Sequence, residues 1–125
     1  MADSEKPPIG SISWRDLTVQ NADAVRDFYA KVVGWTHSPV EMGGCSDYCM
    51  NRPDGVTEAG ICHARGPNAK IPPQWLMYIT VADPAASAKK CVELGGKIID
   101  GPRSVGEHTF YVIQDAAGVV AGVIG

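Results

Sequence analysis

The stretch WLMYITVADPAASAKKCVELGG, residues 75–96, decides the fold, because WRDLTVQNADAVRDFYAKVVGW, residues 14–35, follows the same pattern earlier in the chain. Aligning Ile79 with Leu17 gives an offset of 62 residues, and Gly96 then falls on Gly34. The segments that follow repeat at nearly the same offset. An internal repeat of this kind predicts two modules with one supersecondary design.

Each repeat reads as an apolar strand, a capping residue, a helix and three short strands. The first strands are expected at 11–19 and 74–81, and Asn21 and Asp83 are suited to helix caps. Five apolar residues of the first helix share the spacing of one buried face: Val25, Phe28, Tyr29, Val32 and Val33. Glycines end both helices. The later strands are expected at 35–42, 45–52, 57–63, 97–100, 109–114 and 119–124, with Gly101-Pro102 as a turn.

This order predicts an α+β protein in which two tandem βαβββ modules form a curved mixed sheet, a half-barrel with a cleft. Residues 1–8 read as a flexible tail, and 9–125 as a single domain. Its modules span about 9–64 and 74–125, and the Gly- and Pro-containing segment 65–73 links them.

Composition narrows the range of partners. The chain has 125 residues, 45% of them apolar and 20% charged, with a net charge of −3. This is ordinary globular composition without a basic patch, so we expect neither nucleic-acid nor membrane partners. The first ten residues lack the apolar run of a signal peptide, which predicts a cytoplasmic protein. The four cysteines form no C-x-x-C pair and are expected to be free thiols.

The motifs resemble those of the vicinal oxygen chelate superfamily, which includes glyoxalase, extradiol dioxygenases and bleomycin-resistance proteins. The resemblance rests on L-T-V…A…F-Y…V-V-G-W in the first half, W-L-x-Y-I-x-V-x-D…L-G-G in the second, and D-x-x-G near the end. It covers the chain from about Ile9 onward. The resemblance implies a small-molecule cleft and, in many members, a divalent metal. Members include lyases, isomerases, oxygenases and binding proteins.

The metal-dependent members take His, Glu or Gln ligands from the first and last strands of each module. Carried onto this chain, those positions fall on Trp14 and Gly60, and on Leu76 and Gly122. Such a site needs nitrogen or oxygen donors at about 2.0–2.3 Å from the ion. None of the four side chains supplies one, so we expect no metal and no other cofactor. An unconventional site remains an alternative, drawn from Asp16, Tyr78 and Cys62, or from His37, His63 and His108.

Strand parity assigns the other residues of the expected cleft, because residues two apart share a face. Asp16 and Tyr78 are its expected polar anchors, with Glu107 or His108 as further candidates. Asp16 could act as a general base if it is buried, or could pair with an arginine such as Arg15 or Arg103. Trp14 and Leu76 could instead fill the cleft as core. The expected ligand-binding residues are Trp14, Asp16, Thr18, Gly60, Cys62, Leu76, Tyr78 and Gly122.

Three functions are compatible with these residues. The first is a metal-independent protein that binds a small, partly apolar molecule, on the bleomycin-resistance model. The second is an enzyme, a metal-dependent or acid–base lyase, isomerase or dioxygenase of the glyoxalase type. The third is an interaction module. A homodimer is expected and is compatible with the first two functions. The identity of the ligand and the existence of a reaction stay open at this point.

Overall fold

The computed structural model of the chain describes residues 7–41 and 46–125. In these ranges the protein is α+β, as predicted, with eight strands and two α-helices. In chain order they are β1 (Ile12–Val19), α1 (Ala22–Val33), β2 (Thr36–Glu41), β3 (Ser46–Asn51), β4 (Thr57–His63), β5 (Trp75–Thr80), α2 (Pro84–Glu93), β6 (Lys97–Val105), β7 (His108–Gln114) and β8 (Val120–Ile124). A single 3₁₀ turn, Gly66–Asn68, lies between β4 and β5.

The chain divides into two compact units, which we call the first unit (residues 14–75) and the second unit (7–13 with 76–125). In the first unit the strands lie in the order β2-β3-β4-β1, and in the second in the order β5-β8-β7-β6. β1 runs parallel to β4 and β5 parallel to β8, whereas the other pairs are antiparallel. The boundaries that the sequence predicts for the two modules and the linker stay predictions. The flexible tail also stays a prediction, and residues 1–6 of it lie outside the described ranges.

The core of the first unit lies between α1 and one face of its strands. It contains Leu17, Ala22, Tyr48, Met50 and Ile61. Val19 of β1 and Val25 and Tyr29 of α1 pack against this cluster. Leu17 and Val19 therefore lie on the face of β1 that meets the helix.

The buried face expected for α1 is partly wrong. Phe28, Val32 and Val33 are more than half exposed, whereas Ala22 is buried. The helix packs along Ala22, Val25 and Tyr29, and the small Ala22 side chain permits a close approach to the strands. Phe28 directly precedes Tyr29, and successive residues of a helix point about 100° apart, so Phe28 points away from that line. In α2, Ala88 is buried and Val92 is exposed.

The helix ends follow the expected chemistry, with one exception. Gly34 ends α1 in the left-handed conformation at φ 81°, and its N–H donates to the Ala30 carbonyl. Asp83 caps α2 by accepting the Ala86 N–H at 3.1 Å. Asn21 precedes α1 but makes no capping hydrogen bond through its side chain. Neither helix in the described residues is long and apolar enough to cross a membrane.

β6 is longer than expected, and this corrects the turn assigned to Gly101-Pro102. The strand continues from Lys97 to Val105, and its pairing with β7 shifts register on both sides of this dipeptide. Gly101 has φ 115°, and a Cβ there would lie 2.9 Å from the Phe110 carbonyl oxygen. β6 is the end strand of its unit, where a bulge and a proline are tolerated because the missing N–H interrupts no further ladder.

Candidate functional site

The residues expected to form the site in the first unit meet around Gly60. Asp16 on β1 pairs in register with Gly60 on β4. The Trp14 indole Nε1 donates to the Asp16 Oδ1 at 2.6 Å. A Cβ on Gly60 would overlap the Asp16 carboxyl and lie 3.4 Å from Trp14 Cζ2. Glycine at this position therefore lets an indole and a carboxylate lie directly over β4.

Thr18 and Cys62, two residues further along the same two strands, form the next pair in register on the same face. The Thr18 side chain is buried and Cys62 is half-buried. Burial raises the pKa of the Cys62 thiol, and the nearby charges of Asp16 and Asp47 raise it further. The thiol therefore stays protonated at neutral pH. A protonated thiol is a poor nucleophile and a poor metal ligand. We therefore assign Cys62 a role in packing and hydrogen bonding.

The second unit repeats this arrangement around Gly122 with an aromatic residue. Tyr78 on β5 pairs in register with Gly122 on β8, and its side chain is 5% exposed. A Cβ on Gly122 would overlap the Tyr78 ring, with the ring Cγ only 2.9 Å away. The ring meets Phe110 of β7 edge-on, with 5.6 Å between centroids. The glycine therefore makes room for a tyrosine ring that lies flat on β8.

An arginine extends this aromatic pair. The Arg103 guanidinium lies over the Phe110 ring, 5.1 Å from its centroid. Its Nη1 is 2.8 Å from the Asp100 Oδ2. The second unit thus combines a buried tyrosine on β5, a phenylalanine on β7 and a partly exposed arginine on β6.

The four positions expected to hold a metal are poor in donors. Gly60 and Gly122 have no side chain, Trp14 uses its indole N–H to bind Asp16, and Leu76 is apolar and 1% exposed. In residues 7–41 and 46–125 no group of three His, Cys, Asp or Glu side chains is close enough to hold a metal ion. These residues do not fit the metal that the superfamily resemblance implies. The absence of a cofactor stays a prediction. The burial of Leu76 shows that it contributes to packing in the second unit.

A polar cluster around His63 was not recognised in the sequence. The buried His63 ring lies between two carboxylates, with Nε2 at 3.6 Å from Asp23 and Nδ1 at 3.6 Å from Asp47. Its backbone N–H donates to Asp47 at 2.9 Å, and the Tyr48 hydroxyl donates to Asp23. That hydrogen bond raises the pKa of the Tyr48 phenol. Nothing in the local sequence indicates this cluster, because its members come from α1, β3 and β4.

The other candidates lie apart from these groups. His37 is exposed on β2, with its ring 6.1 Å from Tyr48, and Glu107 is exposed in the turn before β7. His108 begins β7 and is half-buried. The Arg15 guanidinium donates to the Glu58 carbonyl. Cys49, Cys62 and Cys91 are free thiols, and Cys45 lies outside the described residues.

The fold is similar to that of several solved structures. The fold matches a variant of methylmalonyl-CoA epimerase from Streptomyces coelicolor in complex with 2-nitronate-propionyl-CoA, with a TM-score of 0.58, 16% identity and coverage of 94% and 97% of the two chains. It also matches a glyoxalase/bleomycin resistance protein/dioxygenase superfamily member from Vibrio splendidus, with a TM-score of 0.57, 12% identity and coverage of 89% and 95%.

The glyoxalase-like domain model matches residues 15–124, so this chain belongs to the glyoxalase-like family, and the resemblance to the vicinal oxygen chelate superfamily is confirmed. A relative named "Putative glyoxylase CFP32" in Mycobacterium bovis is 33% identical over 92% of this chain and 44% of its own length. The anthracycline biosynthesis protein DnrV of Streptomyces peucetius is 29% identical over 74% of this chain and 33% of its own. The chain thus spans less than half the length of these relatives, and its specificity within the superfamily is undefined.

Proposed function

We propose that this chain binds a small, partly apolar molecule without the help of a metal, in the cleft expected from the sequence. One observation carries the proposal. In both units side chains of the first strand lie over a glycine of the last strand and bring an aromatic ring to it: Asp16 with the edge of the Trp14 ring at Gly60, and the Tyr78 ring at Gly122. Flat aromatic surfaces with few polar groups are typical of small-molecule sites.

Asp16 is the polar anchor of the proposed site. Its carboxylate is half-buried and accepts the Trp14 indole N–H, which holds both side chains in one orientation. A hydrogen bond of this kind stabilises the charged form of a carboxylate. Asp16 is therefore suited to accept a hydrogen bond from a hydroxyl or amine of a ligand whose apolar part contacts the indole.

The names of relatives guide the choice of probes. One relative is named for anthracycline biosynthesis, and a structural neighbour binds a CoA ester. An anthracycline therefore represents flat aromatic ligands, and propionyl-CoA represents acyl thioesters. An acid–base enzyme with Asp16 as its base remains the alternative function, and the same panel can be assayed for turnover.

The test is a titration of each probe followed by tryptophan fluorescence and thermal melting. Binding to the native state raises the melting temperature, and ligand contact changes Trp14 emission. Trp14→Phe and Asp16→Asn should each weaken binding about tenfold. Trp35→Phe and Asp54→Asn are the matched controls and should leave affinity unchanged. Saturable binding that is equally strong in Trp14→Phe and Asp16→Asn, or no binding by any probe, would contradict the proposal.

We also propose that the chain is cytoplasmic and forms a homodimer. The free thiols Cys49, Cys62 and Cys91 support a reducing compartment. The length of the relatives supports pairing, because they are more than twice as long as the matched region and have room for a second domain of this size. The expected absence of nucleic-acid and membrane partners stays a prediction.

A further inference from the structure

One face of α1 is exposed although it carries large apolar side chains. Phe28 is 55% exposed and Val32 is 61% exposed, and Ala24, Asp27 and Lys31 lie on the same side of the helix. These five residues, together with Trp75 of β5, are called the α1 surface below. Large apolar side chains that cluster on the outside of a soluble domain mark an interaction site.

The α1 surface is held rigidly from below by aromatic rings. Phe28 meets Tyr29 edge-on at 5.1 Å between centroids, and Tyr29 meets Trp75 edge-on at 5.3 Å. The Trp75 Nε1 donates to the Tyr29 hydroxyl at 3.0 Å, and the Trp35 ring lies 6.0 Å from both of the other rings. A surface that is already ordered loses little conformational entropy on binding, so its apolar area can stabilise a complex efficiently.

The charges on this surface are arranged for pairing with an identical helix. Asp27 and Lys31 lie one turn apart, on the two sides of Phe28 along the helix. When two copies of α1 cross in opposite directions near Phe28, Asp27 of each copy lies near Lys31 of the other. The Asp27 carboxylate accepts a hydrogen bond from Arg26 of its own helix at 3.0 Å, which lowers the pKa of Asp27, so that it is charged at neutral pH and would be shared between Arg26 and Lys31 of the other copy. A twofold interface requires this kind of self-complementarity, whereas a surface with charges of one sign would exclude a second copy.

We propose that two copies of this chain pair through the α1 surface, helix against helix, about a twofold axis near Phe28. The inference rests on the proposed homodimer and adds its location. Apolar contacts of Phe28 and Val32 stabilise the pair at its centre, and the Asp27–Lys31 pairs at the rim set the antiparallel direction. Aromatic residues near the centre of an interface commonly supply most of its binding energy.

Sedimentation equilibrium of the purified chain tests the proposal, because it measures mass without reference to any ligand. The wild type should be a dimer with a dissociation constant of about 1 µM or lower. Phe28→Glu and Val32→Lys should each raise that constant about a hundredfold, while circular dichroism shows an unchanged fold. Val92→Lys is the matched control, since Val92 is a similarly exposed valine on α2 (54%), and it should remain dimeric.

A charge exchange tests the direction of the helices. Lys31→Asp places two acidic residues together and should weaken the dimer about tenfold, and adding Asp27→Lys should restore most of that loss. A wild-type chain that stays monomeric at high concentration would overturn the homodimer and leave the α1 surface to a different partner. A dimer that survives Phe28→Glu and Val32→Lys would overturn this location but not the homodimer.

Discussion

The two units share the order of their strands, but the chemistry on equivalent positions differs. In the first unit Asp16 lies over Gly60, and in the second Tyr78 lies over Gly122. Two residues after each glycine, the last strand of the first unit carries the thiol of Cys62, whereas that of the second unit carries the apolar side chain of Ile124. The first unit therefore presents acidic and titratable groups, and the second presents aromatic rings with an arginine.

The ends of the last strands differ in a similar way. In the first unit the N–H of His63 is bound by the Asp47 side chain. In the second unit Gly125 and Thr109 exchange two backbone hydrogen bonds at 2.8 and 3.1 Å. Both solutions satisfy the backbone, but only the first places a charged side chain in a buried position. The two units thus share their strand order and the glycines at these positions, while the side chains around the glycines differ.

The largest effect is expected from placing a side chain on the two glycines. Gly122→Val would force its methyl groups into the buried Tyr78 ring and should lower the free energy of unfolding by about 3 kcal/mol. Gly60→Val meets the smaller, half-buried Asp16 side chain, which can move aside by giving up its hydrogen bond with Trp14, and should cost about 1 kcal/mol. Urea denaturation of both variants measures the difference. Equal losses would show that the ring and the carboxylate are equally constrained.

A smaller difference is expected at the strand ends. Asp47→Ala removes the acceptor of a buried N–H and should lower the free energy of unfolding by about 2 kcal/mol. Thr109→Ala leaves both backbone hydrogen bonds in place and should change it by less than about 0.5 kcal/mol. Urea denaturation at neutral pH compares the two. A larger loss in Thr109→Ala than in Asp47→Ala would contradict the assignment of the carboxylate as the main acceptor.

The smallest effect concerns the pH dependence of stability. The pKa of Cys62 is raised in the folded protein, so above about pH 8.5 the unfolded chain loses this thiol proton while the folded chain keeps it. The free energy of unfolding should therefore be constant below about pH 8 and fall by about 1.4 kcal/mol by pH 9.5.

Cys62→Ala is the control for that pH dependence. It removes the titrating group, and its stability should decline less over the same interval, whereas Ile124 gives the second unit no equivalent titration. Urea denaturation at several pH values checks this. An unchanged slope in Cys62→Ala would show that the thiol ionises normally in the folded state.

The sequence predicted the α+β class because strand and helix periodicity are local properties. Asp83 and Gly34 were recognised as helix ends for the same reason, since capping depends on residues within one turn. The Gly101-Pro102 dipeptide was misread as a turn, because a bulge in a strand and a turn favour the same residues. The outward position of Phe28 was also missed, because apolar spacing on a helix does not show which line of residues meets the sheet.

The residues expected at the site illustrate the same division. Strand parity predicted that Asp16 and Gly60 face the same side, and likewise Tyr78 and Gly122, but the register that pairs them is a feature of the structure. The hydrogen bond from Trp14 to Asp16 and the position of His63 between two carboxylates depend on side-chain orientation and on strands far apart in the chain. No local pattern contains that information.

The sequence by itself therefore determined the class of the fold, the family and the absence of donor side chains at the usual metal positions. These follow from periodicity, motif order and residue identity, which can be read from the linear sequence without a structure. Only the tertiary structure decided that Asp16 and Tyr78 lie over glycines, that the half-buried Cys62 thiol lies beside two carboxylates, and that α1 leaves Phe28 exposed. Packing, burial and charge proximity decide such features, and they exist only when distant segments come together.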